Sequence, residues 1–122
     1  MSDNRPIPVS LNLLQKSRIL ALEYSDGAKF ELSCEMLRVH SPSAEVRGHG
    51  PGQEVLQVGK ENVNIKEIEP MWHYAVRLVF DDGHESGIYT WDYLYDLGQH
   101  RDRYWQRYLA ALTAAGRART AP

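Results

Sequence analysis

The stretch that decides the fold is residues 19–32, which reads Ile-Leu-Ala-Leu-Glu-Tyr-Ser-Asp-Gly-Ala-Lys-Phe-Glu-Leu. In residues 19–24, successive side chains would lie on opposite faces of a β-strand, and the pattern is typical of a strand whose two faces have different surroundings. Asp26-Gly27 follows, and an Asp-Gly pair favours a hairpin because glycine adopts positive φ at little cost. Phe30–Leu32 is then the returning strand. A short apolar run at Ser10–Leu14 precedes this predicted hairpin.

A second copy of this pattern lies farther along the chain. Tyr74–Phe80 has the alternating pattern of a strand, Asp82-Gly83 supplies the turn, and Ser86–Tyr89 is the predicted returning strand. After each returning strand comes a hydroxyl residue, Ser33 or Thr90, with an acidic residue two positions later. A hydroxyl at this position caps a helix, and the acid favours the positive end of the helix dipole. The sequence therefore predicts two hairpin-plus-short-helix units.

The C-terminal part predicts a longer helix. Its apolar side chains recur at helical spacing, as Tyr104, Trp105, Tyr108, Leu109 and Leu112. Asp102 lies near the predicted start, and Gly116 occupies the position at which helices commonly end. We interpret the apolar stripe as core packing.

Two further strands are predicted between the units. They cover Glu54–Val58 and Asn62–Glu69, and Pro70 is expected to end the second. The single Cys34 excludes an intramolecular disulfide framework. Its position matches that of Trp91 in the second unit, and we therefore expect a buried structural cysteine.

Length and composition indicate one domain. The chain has 122 residues, of which 43% are hydrophobic and 25% charged, values typical of a globular protein. The prediction is a small α+β fold with a mostly antiparallel sheet, two hairpin-plus-short-helix units and one C-terminal helix packed on the sheet. The expected boundaries are a flexible arm at 1–9, a single domain at 10–116 and a frayed tail at 117–122. No apolar run approaches the ~20 residues of a membrane span, and no leader opens the chain, so a cytoplasmic location and no membrane partner are expected.

Charge is unevenly distributed along the chain. Residues 100–122 contain five arginines and one acid, Asp102, whereas residues 1–99 contain nine basic and fifteen acidic residues. A basic tail can favour phosphate or an acidic partner, and arginines near a helix C-terminus also complement its dipole. A nucleic-acid module is usually basic over its whole binding face. Because this body is acidic, nucleic acid is not an expected partner.

The long segment Arg38–Gln53 holds most of the residues that could carry chemistry. Long ordered loops are disproportionately functional. Ser41 and Ser43 are candidate nucleophiles beside His40, but no Gly-x-Ser-x-Gly motif surrounds them. His40, His49 and His84, with the acids Asp81, Asp82 and Glu85 near the last, form an alternative candidate site for zinc or iron.

Two motifs resemble the DUF971 family, also called the gamma-butyrobetaine hydroxylase-like N-terminal domain. They are Leu37-Arg38-x-x-Ser41-Pro42-Ser43-Ala44-Glu45-Val46 and Asp82-Gly83-His84-x-Ser86-x-x-Tyr89-x-Trp91-x-Tyr93-Leu94. The likeness runs from about Ile7 to Leu112. The resemblance implies a small α+β domain that occurs alone in bacteria and also fused to carnitine-synthesis dioxygenases or to iron–sulfur carrier ATPases, and a stand-alone bacterial member is expected here.

The resemblance also implies a zinc site that this sequence does not preserve. In the zinc-binding branch of the family, three thiols and a histidine hold the metal, and these positions are Ser41, Ser43, Val46 and His84 here. Only His84 has a side chain that zinc prefers. We therefore expect a degenerate zinc site, with no cofactor, in which hydrogen bonds among Ser41, Ser43 and His84 hold the loop. The dioxygenase activity of the fusions belongs to a separate domain and is not implied for this chain.

Two functions remain open at this point. The first is a non-enzymatic accessory module that binds a protein partner of unknown identity. Its expected binding surface comprises His40, Ser41, Ser43, Arg47, His49, Trp91 and Asp92. The alternative is a metal-binding protein with a histidine-based site, linked to iron–sulfur assembly or to an oxygenase.

Overall fold

Two three-stranded antiparallel sheets form the framework of the molecule. The structure, a computed structural model, describes residues 5–48, 50 and 52–119. In each sheet the strands lie in sequence order: β1 (Pro8–Leu14), β2 (Ile19–Tyr24) and β3 (Lys29–Ser33), then β4 (Ile65–Met71), β5 (Ala75–Phe80) and β6 (Ile88–Thr90). The helices are α1 (Cys34–Val39), α2 (Ala44–Arg47), α3 (Trp91–Gln99) and α4 (Arg101–Ala114). The predicted α+β class is confirmed.

The first predicted hairpin turn joins β2 to β3. The Tyr24 N–H donates to the carbonyl oxygen of Ala28 at 2.8 Å, and Asp26 Oδ1 accepts the Ala28 N–H at 2.9 Å. Gly27 has a φ of 89°, which a residue with a side chain rarely adopts. The Asp-Gly pair therefore specifies this turn as the sequence predicts.

The second hairpin turn has the same geometry. The Phe80 N–H donates to the carbonyl oxygen of His84 at 2.9 Å, and Asp82 Oδ1 accepts the His84 N–H at 3.0 Å. Gly83 has a φ of 93°. His84 therefore occupies the position that Ala28 occupies in the first turn.

The helix caps predicted after each hairpin are also present. Ser33 Oγ accepts the Met36 N–H at 3.0 Å at the start of α1. Thr90 Oγ1 accepts the Tyr93 N–H at 3.1 Å at the start of α3. The helix α3 has nine residues and is longer than the short turn that we expected.

Both sheets and the helices share one hydrophobic core. It includes Leu20, Leu22, Tyr24, Leu32, Leu37, Val76, Leu78, Phe80, Tyr89, Leu94 and Leu97. Cys34 is fully buried in this core, and burial raises the pKa of its thiol. The cysteine is buried as predicted.

The C-terminal helix α4 packs against the main core and the end of α1. Trp105 contacts the main core, whereas Tyr108 and Leu112 form a second cluster with Val39. Gly116 has a φ of 70°, and the Arg117 N–H donates back to the carbonyl oxygen of Leu112 at 2.8 Å. This glycine-terminated end is the stop that the sequence predicts.

Two predictions about strands are wrong. Residues 54–58 form no strand, and the second strand, predicted at Asn62–Glu69, covers Ile65–Met71. Pro70 lies inside β4 and does not end it. Because β4 is an edge strand, a proline can lie in it without removing a hydrogen bond of the sheet.

The described ends of the chain contact the domain. The strand β1 begins at Pro8, inside the predicted arm, and the Ser25 N–H donates to the carbonyl oxygen of Ile7 at 2.8 Å. At the other end, Arg119 donates two hydrogen bonds of 2.8 and 2.9 Å to the buried Glu35 carboxylate.

Within the described residues, no helix has both the length and the apolar character needed to cross a membrane.

Candidate functional site

A buried hydrogen bond joins the segment after α1 to the second hairpin turn. Ser41 Oγ lies 2.8 Å from His84 Nε2, and the two residues are 0% and 5% exposed. The Ser43 N–H donates to the same Ser41 oxygen at 3.3 Å. The predicted hydrogen bonds among Ser41, Ser43 and His84 are therefore present.

A carboxylate fixes the orientation of the His84 ring. Glu45 Oε2 lies 3.0 Å from His84 Nδ1, and a carboxylate only accepts, so Nδ1 carries the proton. Nε2 of the neutral ring then accepts a hydrogen bond from the Ser41 hydroxyl. Burial and the positive charge of Arg38 lower the pKa of His84, while Glu45 opposes this shift. The neutral imidazole is therefore the form that the site favours near pH 7.

The short helix α2 brings Glu45 to this position. Ser43 caps the helix, because its Oγ accepts the Glu45 N–H at 3.2 Å, and the same Oγ lies 2.7 Å from Ser86 Oγ. We call Ser41, Ser43, Glu45, His84 and Ser86 the polar cluster. Glu45 was missed as a site residue, and α2 was not predicted.

The turn that presents His84 is held by charged groups. Asp82 Oδ2 accepts hydrogen bonds of 2.8 Å from both Arg38 Nε and Lys60 Nζ. Burial tends to raise the pKa of Asp82, but the hydrogen bonds from Lys60, His84 and Arg38 outweigh it and lower the pKa to about 2. Asp82 is therefore ionised at neutral pH.

Serine, histidine and carboxylate in this order are also the components of a nucleophilic triad. A nucleophile must be reachable by a substrate, and Ser41 is fully buried. Gly87 lies close to its oxygen, because an added Cβ at Gly87 would overlap Ser41 Oγ. The arrangement therefore joins the segment after α1 to the second hairpin turn.

The four positions that the resemblance assigns to zinc hold Ser41, Ser43, Val46 and His84. His84 is the one strong ligand among them, and Val46 is a buried apolar residue. No group of three or more His, Cys, Asp or Glu side chains suited to a metal ion occurs within residues 5–48, 50 and 52–119. Residue His49 of the predicted histidine site lies outside the described residues.

His40 has a different environment from His84. Its Nδ1 lies 2.9 Å from the carbonyl oxygen of Met36, and its ring contacts the edge of Tyr104, with centroids 5.3 Å apart. Burial and the nearby Arg107 lower the pKa of His40. Both histidines therefore form hydrogen bonds within the protein.

An apolar groove of about 750 Å³ lies beside the polar cluster. One wall is a face of α4 that presents Tyr104, Arg107, Tyr108 and Ala111, which have helical spacing. The other wall comes from the segment between the end of α1 and residue 57, and includes His40, Ser41, Val46, Arg47 and Leu56. Part of the predicted binding surface, His40, Ser41 and Arg47, therefore lines one concave site.

Trp91 and Asp92, which belong to the predicted binding surface, do not line this groove. Both residues line another depression, of about 510 Å³, together with Ile7 and Tyr74. Tyr93, the next residue, lines the groove. Successive residues of a helix point about 100° apart, so neighbours at the start of α3 face different surfaces.

The fold and the polar cluster define a small α+β domain whose second Asp-Gly turn presents a histidine to a serine-rich segment. The profile of the "gamma-butyrobetaine hydroxylase-like, N-terminal" family matches residues 11–95. The chain belongs to this family, so the resemblance inferred from the two motifs is confirmed.

Solved structures agree with this assignment. Two chains determined by NMR in solution are each 50% identical to this one, with TM-scores of 0.80 and 0.81, covering 93% and 98% of this chain and 90% of theirs. A crystal structure of a DUF971 protein of unknown function from Acidithiobacillus ferrooxidans ATCC 23270 is 39% identical, with a TM-score of 0.66. That match covers 80% of this chain and 98% of the other. Among curated proteins, none matches the sequence.

Proposed function

We propose that this domain is a non-enzymatic accessory module that binds a protein partner in the groove between α4 and the segment that follows α1. The observation that carries this proposal is the groove, which apolar and aromatic side chains line together with two exposed arginines, Arg47 and Arg107. Aromatic residues and arginine are enriched among the anchors of protein interfaces.

The walls of the groove are fixed by hydrogen bonds, which supports a preformed binding site. Tyr93 Oη donates to the carbonyl oxygen of His40 at 2.5 Å, and Tyr108 Oη donates to the carbonyl oxygen of Gln57 at 2.6 Å. A preformed site loses less conformational entropy on binding than a flexible one does.

The polar cluster supports the groove and serves no catalytic purpose in this proposal. Its Ser43 and Glu45 lie at the start of α2, and Arg47 at the end of that helix reaches the groove. The Ser41–His84 and Glu45–His84 hydrogen bonds hold α2 against the second hairpin turn. In this proposal the hydrogen bonds of the polar cluster join α2 to the second hairpin turn, and no metal is needed for that connection.

The experiment is affinity capture of partners from the source cells with a tagged chain. Arg107→Glu is expected to lose a partner that wild type captures, because the substitution places a negative charge in the groove. Arg103→Glu is the matched control, since Arg103 is an exposed arginine of the same helix that does not line the groove. Circular dichroism should show that both variants are folded.

Two outcomes would contradict the proposal. Capture of the same partners by wild type and Arg107→Glu would remove the groove as the site. If wild type captures no protein above a tag-only control, the role as a protein-binding module is wrong.

A further inference from the structure

The two arginines of the groove are held by rings and not by carboxylates. The Arg47 guanidinium lies 4.9 Å from the centre of the Tyr93 ring, and that of Arg107 lies 5.7 Å from the centre of the Tyr104 ring. Neither forms an ion pair with a carboxylate in the part of the chain that the structure describes. Stacking on a ring positions a guanidinium while leaving N–H donors for an anionic partner.

Other arginines of the same domain do have carboxylate partners. Arg38 pairs with Asp82 at 2.8 Å, and Arg119 pairs with Glu35 at 2.8 Å. Glu54 is the acidic residue among those that line the groove. Two arginines and one carboxylate therefore line the described part of the groove, which gives it a net positive formal charge, whereas residues 1–99 as a whole are acidic.

Much of the remaining lining of the groove is apolar. Val39, Leu56, Tyr108 and Ala111 contribute to it. Val55, at the rim, is 52% exposed and is among the most exposed large apolar residues described. Apolar side chains of a partner would complement this surface, and negative charge would complement the two arginines.

We propose that the occupant of the groove is an acidic peptide segment of the partner, with apolar side chains between carboxylates. This inference rests on the proposed function and deepens it. The apolar side chains lie against Val55, Leu56 and Tyr108, and the carboxylates receive hydrogen bonds from Arg47 and Arg107. Planar guanidinium groups suit carboxylates because they donate two parallel hydrogen bonds.

The experiment selects random 12-residue peptides displayed on phage against the wild-type chain. Enriched peptides are expected to contain several Asp and Glu residues around one or two apolar residues. A synthetic fluorescein-labelled copy of the leading peptide is then titrated by fluorescence anisotropy. The double variant Arg47→Glu/Arg107→Glu should weaken binding by about tenfold or more, and Arg103→Glu by less than about twofold. Binding should also weaken as salt is added.

The outcomes separate this inference from the proposed function. Neutral or basic peptides that need Arg47 and Arg107 would keep the groove as a binding site and overturn the acidic occupant. Peptides that bind the double variant as tightly as wild type would overturn both for this groove. If no peptide is enriched, the inference that a short acidic segment occupies the groove is wrong. The capture experiment would still decide the proposed function. A wild-type dimer, seen by sedimentation and dissociated by Arg107→Glu, would make a second copy of the chain the occupant.

Discussion

Ser41 Oγ and His84 Nε2 lie 2.8 Å apart in the protein interior. The serine follows α1, and the histidine closes the second hairpin turn, so one hydrogen bond joins two segments that are distant in sequence. The His84 Nδ1–H donates to Glu45, and the serine oxygen also accepts the Ser43 N–H. The polar atoms of the ring and of the hydroxyl are therefore satisfied within the protein, which is what burial of polar groups requires.

The first prediction concerns the strength of this hydrogen bond. Ser41→Ala should lower the free energy of unfolding by about 1–3 kcal/mol, because it leaves His84 Nε2 buried without a partner. His84→Asn should destabilise the protein by a similar or larger amount. The double variant should lose less than the sum, with a coupling of about 0.5–3 kcal/mol. Urea denaturation of the four proteins measures all of these values.

Ser17→Ala is the control for this double-mutant cycle. Ser17 is exposed, and its substitution should change stability by less than about 0.5 kcal/mol. Additive effects of Ser41→Ala and His84→Asn would show that the two side chains do not stabilise one another.

The second prediction concerns the packing around Ser41. An added Cβ at Gly87 would overlap Ser41 Oγ and come within 3.2 Å of the Tyr89 ring. Gly87→Ala should therefore destabilise the protein by about 1–3 kcal/mol through overpacking. Gly50→Ala is the matched control, since its Cβ would meet nothing within 4 Å and its φ lies outside the left-handed region. Thermal unfolding of both variants makes the comparison, and equal midpoints would contradict tight packing at Gly87.

The sequence predicted the repeated part of the fold well because the relevant signals are local. Asp-Gly turns and hydroxyl caps act within a few residues, and both hairpins formed where the pattern placed them. Glu54–Val58 failed as a strand because an apolar run forms a strand only when a neighbour offers backbone groups to pair with. Within this segment, the Val55 N–H instead donates to the carbonyl oxygen of Val46 at 2.7 Å.

The site was partly predictable for the same reason. The family motifs indicated Ser41, Ser43 and His84, but the hydrogen bond between Glu45 and His84 was not predicted. A local signal existed, because Ser43-Ala44-Glu45 repeats the hydroxyl-x-acid pattern of Ser33-Cys34-Glu35, and that pattern begins a helix in both places. No local signal placed α4 across from this segment, since the groove between them is set by tertiary packing.

The third prediction concerns pH. Because the pKa of His84 is lowered in the folded protein, the unfolded chain binds more protons as the pH falls below the ordinary value of about 6.5. The contribution of His84 to the free energy of unfolding should therefore be fully present above about pH 6.5, and it should be lost as the pH falls towards the pKa of His84 in the folded protein. His40, whose pKa is also lowered, contributes in the same direction, so His84→Asn should reduce this acid sensitivity only in part. Urea denaturation at pH 8 and at pH 5 tests the difference.

A fourth prediction separates the role of Glu45 from that of burial. The Glu45 carboxylate raises the pKa of His84 against the effect of burial. Glu45→Gln should therefore lower the pKa of His84 further, as followed by NMR titration of the ring proton signals. Glu85→Gln is a suitable control, because Glu85 is an exposed acid next to His84 in sequence that has no hydrogen bond to its ring among those described. An unchanged His84 titration in Glu45→Gln would show that the carboxylate does not govern the ring.

The last prediction concerns metal. Wild-type protein purified without a tag should hold less than about a tenth of an equivalent of zinc or iron, because hydroxyl groups and Val46 are not ligands that these metals prefer. The triple variant Ser41→Cys/Ser43→Cys/Val46→Cys restores three thiols beside His84 and should bind about one equivalent of zinc. Adding His84→Ala to the triple variant should weaken that binding. Elemental mass spectrometry with protein quantified in the same sample gives each ratio. About one equivalent of metal in the wild type, lost in His84→Ala, would show that the polar cluster binds a metal after all and would favour the histidine-based alternative.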